Sequence, residues 1–438
     1  MIEIFLERMK SLLGDEFDAF LQYYNGENFR GLRVNTLKCS ADTLKNALPF
    51  ELKPTPFCPD GYYLPSEISS LGNHPLHHAG AFYIQEPSAT SAVEMLGVQP
   101  GDTVLDLCAA PGGKSTQIGA KLKGEGLLWS NEIVKSRANI LLSNIERMGI
   151  ANAVVSNCHP EQLCERLAGR FDRVLVDAPC SGEGMFRKNS AAQTEWSEEH
   201  VKSCAERQLH ILNSAKHALK PGGVMVYSTC TFSHEENEGV ITRFLEENPE
   251  FSLEDSGVTF GRPAMEYARR IFPMDGGEGH FAARLRKSGD LAPTFPDSGK
   301  AAVKPELMEF YDSLFIDRPF GERITVKNNK IIILPKNYIE SDLPVLRAGI
   351  VLGEIVKNRI EPHHSAFMAA KPESCRRRVD LTHDSEEIKA FLHGEEISVP
   401  QDLKGYAAVC VDGMTSGFGK ASGGRLKNKY PKGLRTLK

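Results

Sequence analysis

Short apolar runs alternate with amphipathic stretches through the middle of the chain, between about residues 100 and 285. The apolar runs have the length of strands and lie at 103–107, 126–130, 153–156, 173–176, 223–228 and 281–285. The stretches between them have the spacing of helices, and repeated strand–helix units form a mainly parallel sheet that is covered on both faces. The pattern therefore predicts an α/β domain over residues 96–287.

The chain before this domain has a mixed pattern of helical and short extended stretches. Its first 17 residues predict an amphipathic helix. The apolar residues near one face of that helix are Phe5, Met9, Leu12, Leu13 and Phe17. We therefore expect an N-terminal α+β subdomain over residues 1–95 that binds and positions RNA.

The chain after the α/β domain has a weaker pattern. A stretch rich in Pro, Gly and charged residues at 288–304 predicts a linker. Beyond it the pattern predicts a helix, and then a hairpin over 323–334 whose turn holds Asn328 and Asn329. These elements indicate a smaller α+β region over residues 305–438.

The composition narrows the class of protein. With 438 residues, of which 41% are hydrophobic and 25% charged, the chain is typical of a soluble globular protein with two or three domains. No apolar run is long enough to span a bilayer, and acidic residues near the start argue against a secretory signal peptide. The 10 cysteines form no Cys-x-x-Cys pair or Cys/His cluster, so neither a disulfide framework nor a metal site is predicted. Cysteines without a disulfide pattern favour a protein of the reducing cytoplasm.

Charge is unevenly distributed along the chain, although the formal net charge is only −5. From Gly413 onward there is no acidic residue. The basic residues of this segment are Lys420, Arg425, Lys427, Lys429, Lys432, Arg435 and Lys438. Such a segment is either a surface that contacts phosphates or a solvated basic tail, and composition leaves both open.

Two cysteines, Cys180 and Cys230, occupy matched positions, each close behind an apolar run and at the start of a polar loop. In a parallel sheet this is the carboxyl end of a strand, where ligands gather. A free cysteine is usually a buried small hydrophobe. Two thiols at such positions nevertheless indicate nucleophilic chemistry, and their spacing does not show which one attacks.

A turn of small residues follows the first strand of the α/β domain. It consists of Cys108, Ala109, Ala110, Pro111, Gly112 and Gly113, and Lys114 comes next at the start of a helical pattern. It lacks Gly-x-Gly-x-x-Gly, and Cys108 stands where a Walker A motif would have its first glycine, which argues against a dinucleotide enzyme and a nucleoside triphosphatase. A helix N-terminus after such a turn accepts a carboxylate as readily as a phosphate. Glu132 ends the next strand, where an acceptor for ribose hydroxyls is expected, so the pattern indicates a nucleoside-like ligand.

Three motifs in this order resemble those of the S-adenosylmethionine-dependent RNA cytosine-C5 methyltransferases. They are residues 106–114, residues 177–182 and residues 228–231. The resemblance runs from about Arg33 to Arg286, and the basic, PUA-like C-terminal region makes the chain similar to the RsmF branch of that family, which acts on small-subunit (16S) ribosomal RNA. It implies a Rossmann-like class I methyltransferase domain, with S-adenosyl-L-methionine as cofactor and RNA, either 16S rRNA or the small ribosomal subunit, as partner.

The resemblance also implies roles for single residues. Cytosine C5 is too weak a nucleophile to take a methyl group directly, so a thiolate first adds at C6 and forms a covalent adduct. In the family, the cysteine at the position of Cys230 is the attacking nucleophile, and the cysteine at the position of Cys180 assists release of the methylated RNA. Asp177 would contact the cytosine edge or the cofactor. The other implied cofactor contacts are Cys108, Ala109, Ala110, Pro111, Gly112, Gly113, Lys114 and Glu132.

The chain departs from the family at Asn157-Cys158-His159, where an Asn-x-Asp commonly reaches the adenine. Whether His159 replaces that aspartate stays open, since an imidazole lacks the charge-assisted bond of a carboxylate. Residues 233–236 predict a helix-capping box rather than catalytic acids, and His234 among them is expected to be exposed.

RNA contacts are expected from basic and polar residues, which would supply salt-dependent affinity and positioning. The candidates outside the C-terminal segment are Arg33, Asn35, Arg187 and Lys188, with a solvated surface as an equal alternative. The target cytosine must leave its stack for Cys230 to reach C6, which favours unpaired RNA.

Other functions stay open at this point. A tRNA cytosine-C5 methyltransferase would use the same residues. A non-catalytic RNA-binding factor of ribosome assembly would not need both cysteines, and a DNA cytosine methyltransferase would not need the second one. The pair Cys180 and Cys230 therefore favours an RNA-modifying enzyme.

Overall fold

The computed structural model describes residues 3–68, 71–291, 304–338, 340–357 and 359–436. The N-terminal helices are α1 (Glu3–Leu13) and α2 (Phe17–Tyr24). A 3-10 turn, Gly14–Glu16, separates them, so the single helix predicted from the sequence is broken. Gly14 has a φ of +54°, which interrupts a right-handed helix. Phe5 and Met9 are buried as predicted, whereas Leu12 is 40% exposed.

A small antiparallel sheet with short helices completes the N-terminal region. Its elements are β1 (Gly31–Val34), α3 (Ala41–Ala47), β2 (Lys53–Pro54), β3 (Gly61–Tyr63), α4 (Pro75–His78) and β4 (Phe82–Gln85). The strand order is β2-β3-β1-β4. Leu32 and Val34 on β1 belong to a hydrophobic core that continues into the end of the chain through Phe391 and Leu426. The N-terminal and C-terminal regions therefore pack against each other.

The central sheet contains all six predicted strands. Its region comprises α5 (Ser91–Leu96), β5 (Thr103–Asp106), α6 (Gly113–Leu122), β6 (Leu127–Asn131), α7 (Lys135–Arg147), β7 (Ala153–Ser156), α8 (Pro160–Arg166), β8 (Phe171–Asp177), α9 (Ser190–Glu195), α10 (Glu198–Ala218), β9 (Leu219–Thr229), α11 (Glu238–Glu247), β10 (Phe251–Leu253), β11 (Arg262–Pro263), β12 (Arg269–Ile271) and β13 (His280–Lys287). The order is β11-β12-β13-β9-β8-β5-β6-β7, with β10 beside β13. Strands β9, β8, β5, β6 and β7 are parallel, as predicted, whereas β13 is antiparallel to β9.

Both faces of this sheet are covered by apolar side chains. On β5, Leu105 belongs to the core on one face and Val104 to the core on the other. This continuous burial is what a parallel sheet between two helical layers requires. The carboxyl ends of the five parallel strands therefore open on one common edge, where the polar loops gather.

The first part of the C-terminal region combines a helix pair with a four-stranded sheet. Its elements are α12 (Pro305–Leu314), β14 (Ile324–Lys327), β15 (Lys330–Ile333), β16 (Val345–Ala348), β17 (Ile350–Val356), β18 (Arg359–Pro362) and α13 (His364–Ala369). The predicted hairpin is present as β14 and β15, and both Asn328 and Asn329 have the positive φ of a tight hairpin turn. Of the predicted linker at 288–304, residues 292–303 lie outside the described part of the chain.

Strand β16 is an element that the sequence analysis did not predict. It leaves its own unit and pairs antiparallel with β7, so it forms the edge of the central sheet. A 2.5 Å ion pair between Arg347 on β16 and Glu146 on α7 reinforces the contact, and both side chains are largely buried. Strand pairing between β16 and β7 in the central sheet thus joins the region after residue 304 to the central domain.

The last part of the chain forms a five-stranded sheet. Its elements are β19 (Arg378–Leu381), α14 (Glu386–His393), β20 (Ile397–Ser398), β21 (Gly405–Val411), β22 (Met414–Ser422) and β23 (Arg425–Asn428). The strand order is β19-β21-β22-β23-β20. Among the described residues of the whole chain, no helix is both long and apolar enough to cross a membrane.

Candidate active site

The two cysteines lie side by side at the carboxyl ends of neighbouring strands. β8 and β9 pair in parallel up to Asp177 and Ser228, and the cysteine loops begin just beyond. A hydrogen bond from Gly184 N to Cys230 O (2.9 Å) ties one loop to the other. As a result, the Sγ atoms of Cys180 and Cys230 are 3.3 Å apart.

The surroundings of this pair distinguish the two thiols. Hydrogen bonding to Cys230, burial and the nearby carboxylate of Glu236 raise the pKa of Cys180 well above that of an ordinary thiol. Cys180 is therefore a thiol at neutral pH, and its sulfur lies within hydrogen-bond distance of the sulfur of Cys230. A thiolate on Cys180 would lie beside the negative charge of Glu236.

Lys114 and Asp177 form an ion pair next to the cysteines. Lys114 Nζ is 2.8 Å from Asp177 Oδ2, and Ser228 Oγ donates to Oδ1 at 2.8 Å. Burial raises the pKa of Asp177, but the Lys114 ammonium outweighs it and holds the pKa below the ordinary value. Both groups are therefore charged at neutral pH. The Asp177 side chain remains 30% exposed, so it is accessible from the cleft.

His280 is a further group at this site that the sequence analysis missed. Phe281 pairs with Thr229, so His280 lies at the end of β13 beside Cys230. Burial and the Lys114 charge lower its pKa to about 3, which keeps the imidazole neutral. Its Nε2 is buried without a hydrogen-bond partner among the described residues. His280 belongs to none of the three motifs, so no sequence signal marked it, whereas His234 is exposed as expected.

The small-residue turn lies between β5 and α6, next to the cysteine loops. Gly112 has a φ of +115°, and a Cβ there would come within 3.2 Å of the Leu141 side chain, so this position requires glycine. The turn is fixed to its neighbours by hydrogen bonds from Ala109 N to Asn131 O (2.9 Å) and from Arg137 to Ala110 O (2.9 Å). The amide groups that begin α6 are thereby held in place for a ligand.

Two carboxylates flank this turn. Asp106 is completely buried; its Oδ2 accepts a hydrogen bond from Ser115 Oγ (2.7 Å), while its Oδ1 has no partner among the described residues. Burial raises the pKa of Asp106 to about 7. Glu132 is only 3% exposed and accepts from Val134 N at 2.9 Å. Beside it Ile133 is 51% exposed, an apolar surface at the rim of the cleft.

These groups match the chemistry of S-adenosylmethionine. The unpartnered Asp106 Oδ1 is free to accept a further hydrogen bond, the α6 N-terminus suits a carboxylate, and Glu132 suits ribose hydroxyls. The exposed Ile133 supplies an apolar surface for a purine. Asn157 donates to the carbonyl oxygens of Glu132 (2.7 Å) and Ile133 (2.8 Å) and holds their turn in place, whereas the His159 side chain is exposed at the start of α8.

The prediction that Arg33, Asn35 and Arg187 contact RNA is wrong, because all three side chains are buried. Arg33 donates to Gly113 O (2.8 Å) and Thr116 Oγ1 (2.7 Å) and so attaches β1 to the start of α6. Asn35 is 1% exposed, and Arg187 forms an ion pair with Glu278 (3.2 Å). The hydrogen bonds and the ion pair of these side chains join the N-terminal region to the central domain.

Lys188 likewise points into a domain junction, donating to Phe29 O at 2.6 Å. The basic C-terminal segment is different, since most of its side chains face solvent. Lys420, Lys427 and Lys432 are exposed on and beyond the β22–β23 hairpin, and Lys438 lies outside the described residues. This segment is the accessible basic surface of the last domain. Among the described residues, no group of three or more His, Cys, Asp or Glu side chains is placed to hold a metal ion.

Comparison with known proteins gives matches along nearly the whole chain. The family model for 16S rRNA methyltransferase RsmB/F matches residues 93–286. Models for the RsmF N-terminal domain, first C-terminal domain and PUA domain match residues 2–87, 309–369 and 378–436. Ribosomal RNA small subunit methyltransferase F of Vibrio vulnificus is 35% identical over 99% of this chain and 97% of its own length. The chain belongs to the RsmB/F family of 16S rRNA methyltransferases.

Solved structures place the RsmB/F chain among methyltransferase folds. A methyltransferase homolog protein from Pyrococcus horikoshii is 29% identical, with a TM-score of 0.59 over 66% of this chain and 95% of that one. NSun6 from the same organism has a TM-score of 0.59 and covers 65% of this chain and 98% of that one. At 23% identity it shows the fold alone. The predicted Rossmann-like methyltransferase fold, its PUA-containing C-terminal region and the RsmF branch are thereby confirmed.

Proposed function

We propose that this protein transfers a methyl group from S-adenosyl-L-methionine to C5 of a cytosine in 16S rRNA, through a covalent adduct between Cys230 and C6. The observation that carries the proposal is the contact of two cysteine sulfurs at 3.3 Å, beside the Lys114–Asp177 ion pair. A neutral thiol next to a second cysteine sulfur suits a reaction in which the second sulfur attacks and later leaves.

The cofactor is proposed to bind along the ends of β5 and β6. The residues that would hold it are Cys108, Ala109, Ala110, Pro111, Gly112, Gly113, Lys114, Glu132 and Asp177. Bound there, S-adenosylmethionine would supply an electrophilic methyl group. The glycine turn would let the backbone approach the amino-acid portion of the cofactor, and the exposed Ile133 would supply an apolar contact for its purine.

The target base is proposed to be held by Asp177 and Lys114. The Asp177 carboxylate accepts from the exocyclic amine of cytosine, and Lys114 balances its charge. Cys230 as a thiolate forms the bond to C6, and the electron pair of the C5–C6 double bond makes C5 nucleophilic.

Release of the product is proposed to depend on Cys180. After methylation the C5–H bond breaks, its proton passes to water, its electron pair restores the double bond, and the C6–sulfur bond breaks. The leaving group is the Cys230 thiolate, which the S–H of Cys180 stabilises by a hydrogen bond. Without Cys180 the adduct should persist.

The RNA is proposed to be 16S rRNA, free or within the small ribosomal subunit, in the cytoplasm. The full-length relative named ribosomal RNA small subunit methyltransferase F supports this substrate, as does the PUA match at residues 378–436. We also propose that regions 1–95 and 305–438 position RNA against the catalytic domain at 96–287, with 288–304 as a linker.

The test is bisulfite sequencing of total RNA from cells with and without the gene. We expect a 5-methylcytosine in 16S rRNA to disappear when the gene is removed and to return with the intact gene, but not with Cys230→Ala. Loss of a tRNA cytosine instead would show a tRNA methyltransferase. An unchanged set of modified cytosines would favour a non-catalytic RNA-binding assembly factor.

A further inference from the structure

Glu236 is a completely buried carboxylate that lies against the loop carrying Cys180. Its backbone takes part in the predicted cap, with Glu236 N lying 3.4 Å from Ser233 Oγ. Its side chain, however, turns inward to the active-site loop. Oε2 accepts hydrogen bonds from Ser181 N (2.9 Å) and from Gln208 Nε2 (2.8 Å).

Gln208 and Tyr227 extend this contact to the other side of the cysteine. Gln208 Nε2 also donates to Pro179 O at 3.0 Å. The Tyr227 hydroxyl lies 2.9 Å from Gln208 Oε1 and 2.6 Å from Glu236 O. The peptide groups on both sides of Cys180 are thus fixed by one buried network that ends at Glu236.

The Glu236 carboxylate has no cationic partner in the described part of the chain. No Lys, Arg or His nitrogen there lies within 4.0 Å of it, and its Oε1 is buried without a hydrogen bond. Burial raises the pKa of Glu236, as expected for a carboxylate in such surroundings. A buried carboxylate without a cation costs stability, so its presence indicates a role at the site rather than in the core.

We propose that Glu236 is a positioning residue of the methyltransferase site, which fixes the Cys180 loop against Cys230 and keeps Cys180 in its thiol form by its charge. The inference rests on the proposed function and deepens it. It accounts for a protonated Cys180, whose S–H can hydrogen-bond to the departing sulfur of Cys230. Glu236 acts only through Cys180 and does not touch the substrate.

Other titratable groups face this loop from each element packed around it. They are Tyr227 on β9, Cys230 just beyond β9, Cys204 on α10, Glu183 in the 3-10 turn after the loop, Glu235 next to Glu236, Asp177 at the end of β8 and Lys114 on α6. Lys114 is the cation among them, and Asp177 already pairs with it at 2.8 Å. Glu183 is occupied by Phe232 N (2.9 Å) and Trp196 Nε1 (3.0 Å). Glu236 is therefore the carboxylate best placed to act on Cys180.

The test replaces the charge but keeps the shape. In Glu236→Gln the amide oxygen still accepts from Ser181 N and Gln208 Nε2, so the loop is held while the negative charge is lost. The full-length protein also carries Cys230→Ala, and the pH dependence of Cys180 alkylation by iodoacetamide is followed by mass spectrometry. We expect the midpoint to fall by roughly one pH unit.

Glu235→Gln is the matched control. Glu235 is adjacent in sequence but partly exposed and paired with Arg8 at 2.6 Å, so its loss should leave the Cys180 midpoint unchanged. Equal midpoints in the Glu236→Gln and Glu235→Gln proteins would overturn the proposal. If the Glu236→Gln protein does not fold, the test uses the protein that carries Cys230→Ala alone. The midpoint of Cys180 alkylation in that protein must lie above the pKa of an ordinary thiol, about 8.5. A midpoint at or below that value would also overturn it.

A second readout uses the protein with both cysteines and an RNA substrate. Glu236→Gln should form the RNA adduct at an unchanged rate but resolve it several-fold more slowly at pH 9 than at pH 7, since more Cys180 is then ionised. A purely structural role would change both rates equally at every pH. Alkylation needs neither RNA nor cofactor, so it tests Glu236 even if the intact protein methylates no cytosine.

Discussion

At the residue scale, the site combines two pairs of side chains with separate tasks. The sulfurs of Cys180 and Cys230 are 3.3 Å apart, which suits addition and elimination at C6. Lys114 and Asp177 are both charged and both reach the same cleft, which suits orientation of the base. The first pair makes and breaks the covalent bond, and the second determines where it forms.

Asp177→Asn tests the second pair. The amide keeps the shape but offers a donor where the cytosine amine also donates, and it leaves Lys114 without its anion. We expect kcat to fall by about 100-fold or more with the protein still folded. Steady-state methylation with tritiated S-adenosylmethionine measures this, and Asp255→Asn, in an exposed loop, should retain full activity. Activity within a few-fold of normal would remove Asp177 from the mechanism.

The sequence indicated Cys180, Cys230 and Asp177 because each belongs to a motif at a strand end. It did not indicate His280, which reaches the site by pairing of β13 with β9 across about 50 residues of intervening chain. It assigned Glu236 to a helix cap, because the short spacing from Ser233 is what a cap requires. The direction of a buried side chain depends on tertiary packing, which local spacing does not contain.

At the scale of elements, β1 and α6 are joined by the Arg33 guanidinium. Arg33 is 2% exposed and reaches from the N-terminal sheet to Gly113 O and Thr116 Oγ1 at the start of the cofactor helix. The guanidinium donates to a carbonyl and a hydroxyl oxygen in the first turn of α6 and so fixes the turn before α6 from behind. The N-terminal region therefore stabilises the cofactor site directly.

Arg33→Ala should consequently weaken both folding and cofactor binding. Several buried acceptors lose their donor, which costs about 3 kcal/mol of unfolding free energy. We expect a lower thermal midpoint and a several-fold higher Kd for S-adenosylhomocysteine by calorimetry. Lys53→Ala, at an exposed strand position of the same sheet, is the control and should change neither. Unaltered Kd in Arg33→Ala would show that the contact is only structural.

The sequence predicted the five parallel strands well because each is a continuous apolar run between helical stretches. The orientation of the strands was predicted less well, because the strand at 281–285 pairs antiparallel with β9. Strand β16 had no signal, since Val345–Ala348 is short and contains the polar Arg347. Its place at the sheet edge depends on a partner, β7, almost 200 residues earlier in the chain.

At the scale of the whole molecule, the regions meet at a junction of histidines and Tyr430. The Tyr430 hydroxyl is 2.8 Å from His78 Nδ1 of the N-terminal region. Its ring centroid also lies 5.4 Å from that of His364 on α13. Burial lowers the pKa of His78 and of His364 to about 4, so both imidazoles are neutral in the folded protein.

This junction predicts loss of stability in acid. Between pH 6.5, the ordinary histidine pKa, and about 4, the unfolded chain binds protons that the folded protein does not, so the free energy of unfolding falls as the pH is lowered. Thermal unfolding at pH 5 should therefore have a lower midpoint than at pH 7.5. His364→Gln should reduce this difference, whereas His210→Gln, at an exposed position, should preserve it. An equal pH dependence in both variants would contradict the assignment.

The basic hairpin predicts salt-dependent RNA binding by the whole molecule. Lys420 and Lys427 are paired across β22 and β23 and both are exposed. Replacing both by Ala should weaken binding to a 16S rRNA fragment and reduce the slope of log K against log salt by about 2, one for each phosphate contact. Filter binding at several salt concentrations measures the slope. The double variant Lys202→Ala and Arg207→Ala, at exposed positions of α10, should leave the slope unchanged. An unaltered slope in the Lys420→Ala and Lys427→Ala variant would show that RNA binds to another surface.

The most direct test of the account is the fate of the covalent adduct in the two cysteine variants. Full-length protein is incubated with S-adenosylmethionine and a 16S rRNA fragment and separated on a denaturing gel. Cys180→Ala should accumulate a protein–RNA species, because Cys230 still attacks but leaves slowly without its hydrogen-bond donor. Cys230→Ala should form no adduct and no 5-methylcytosine. Accumulation in Cys230→Ala and none in Cys180→Ala would contradict the assignment of the two thiols.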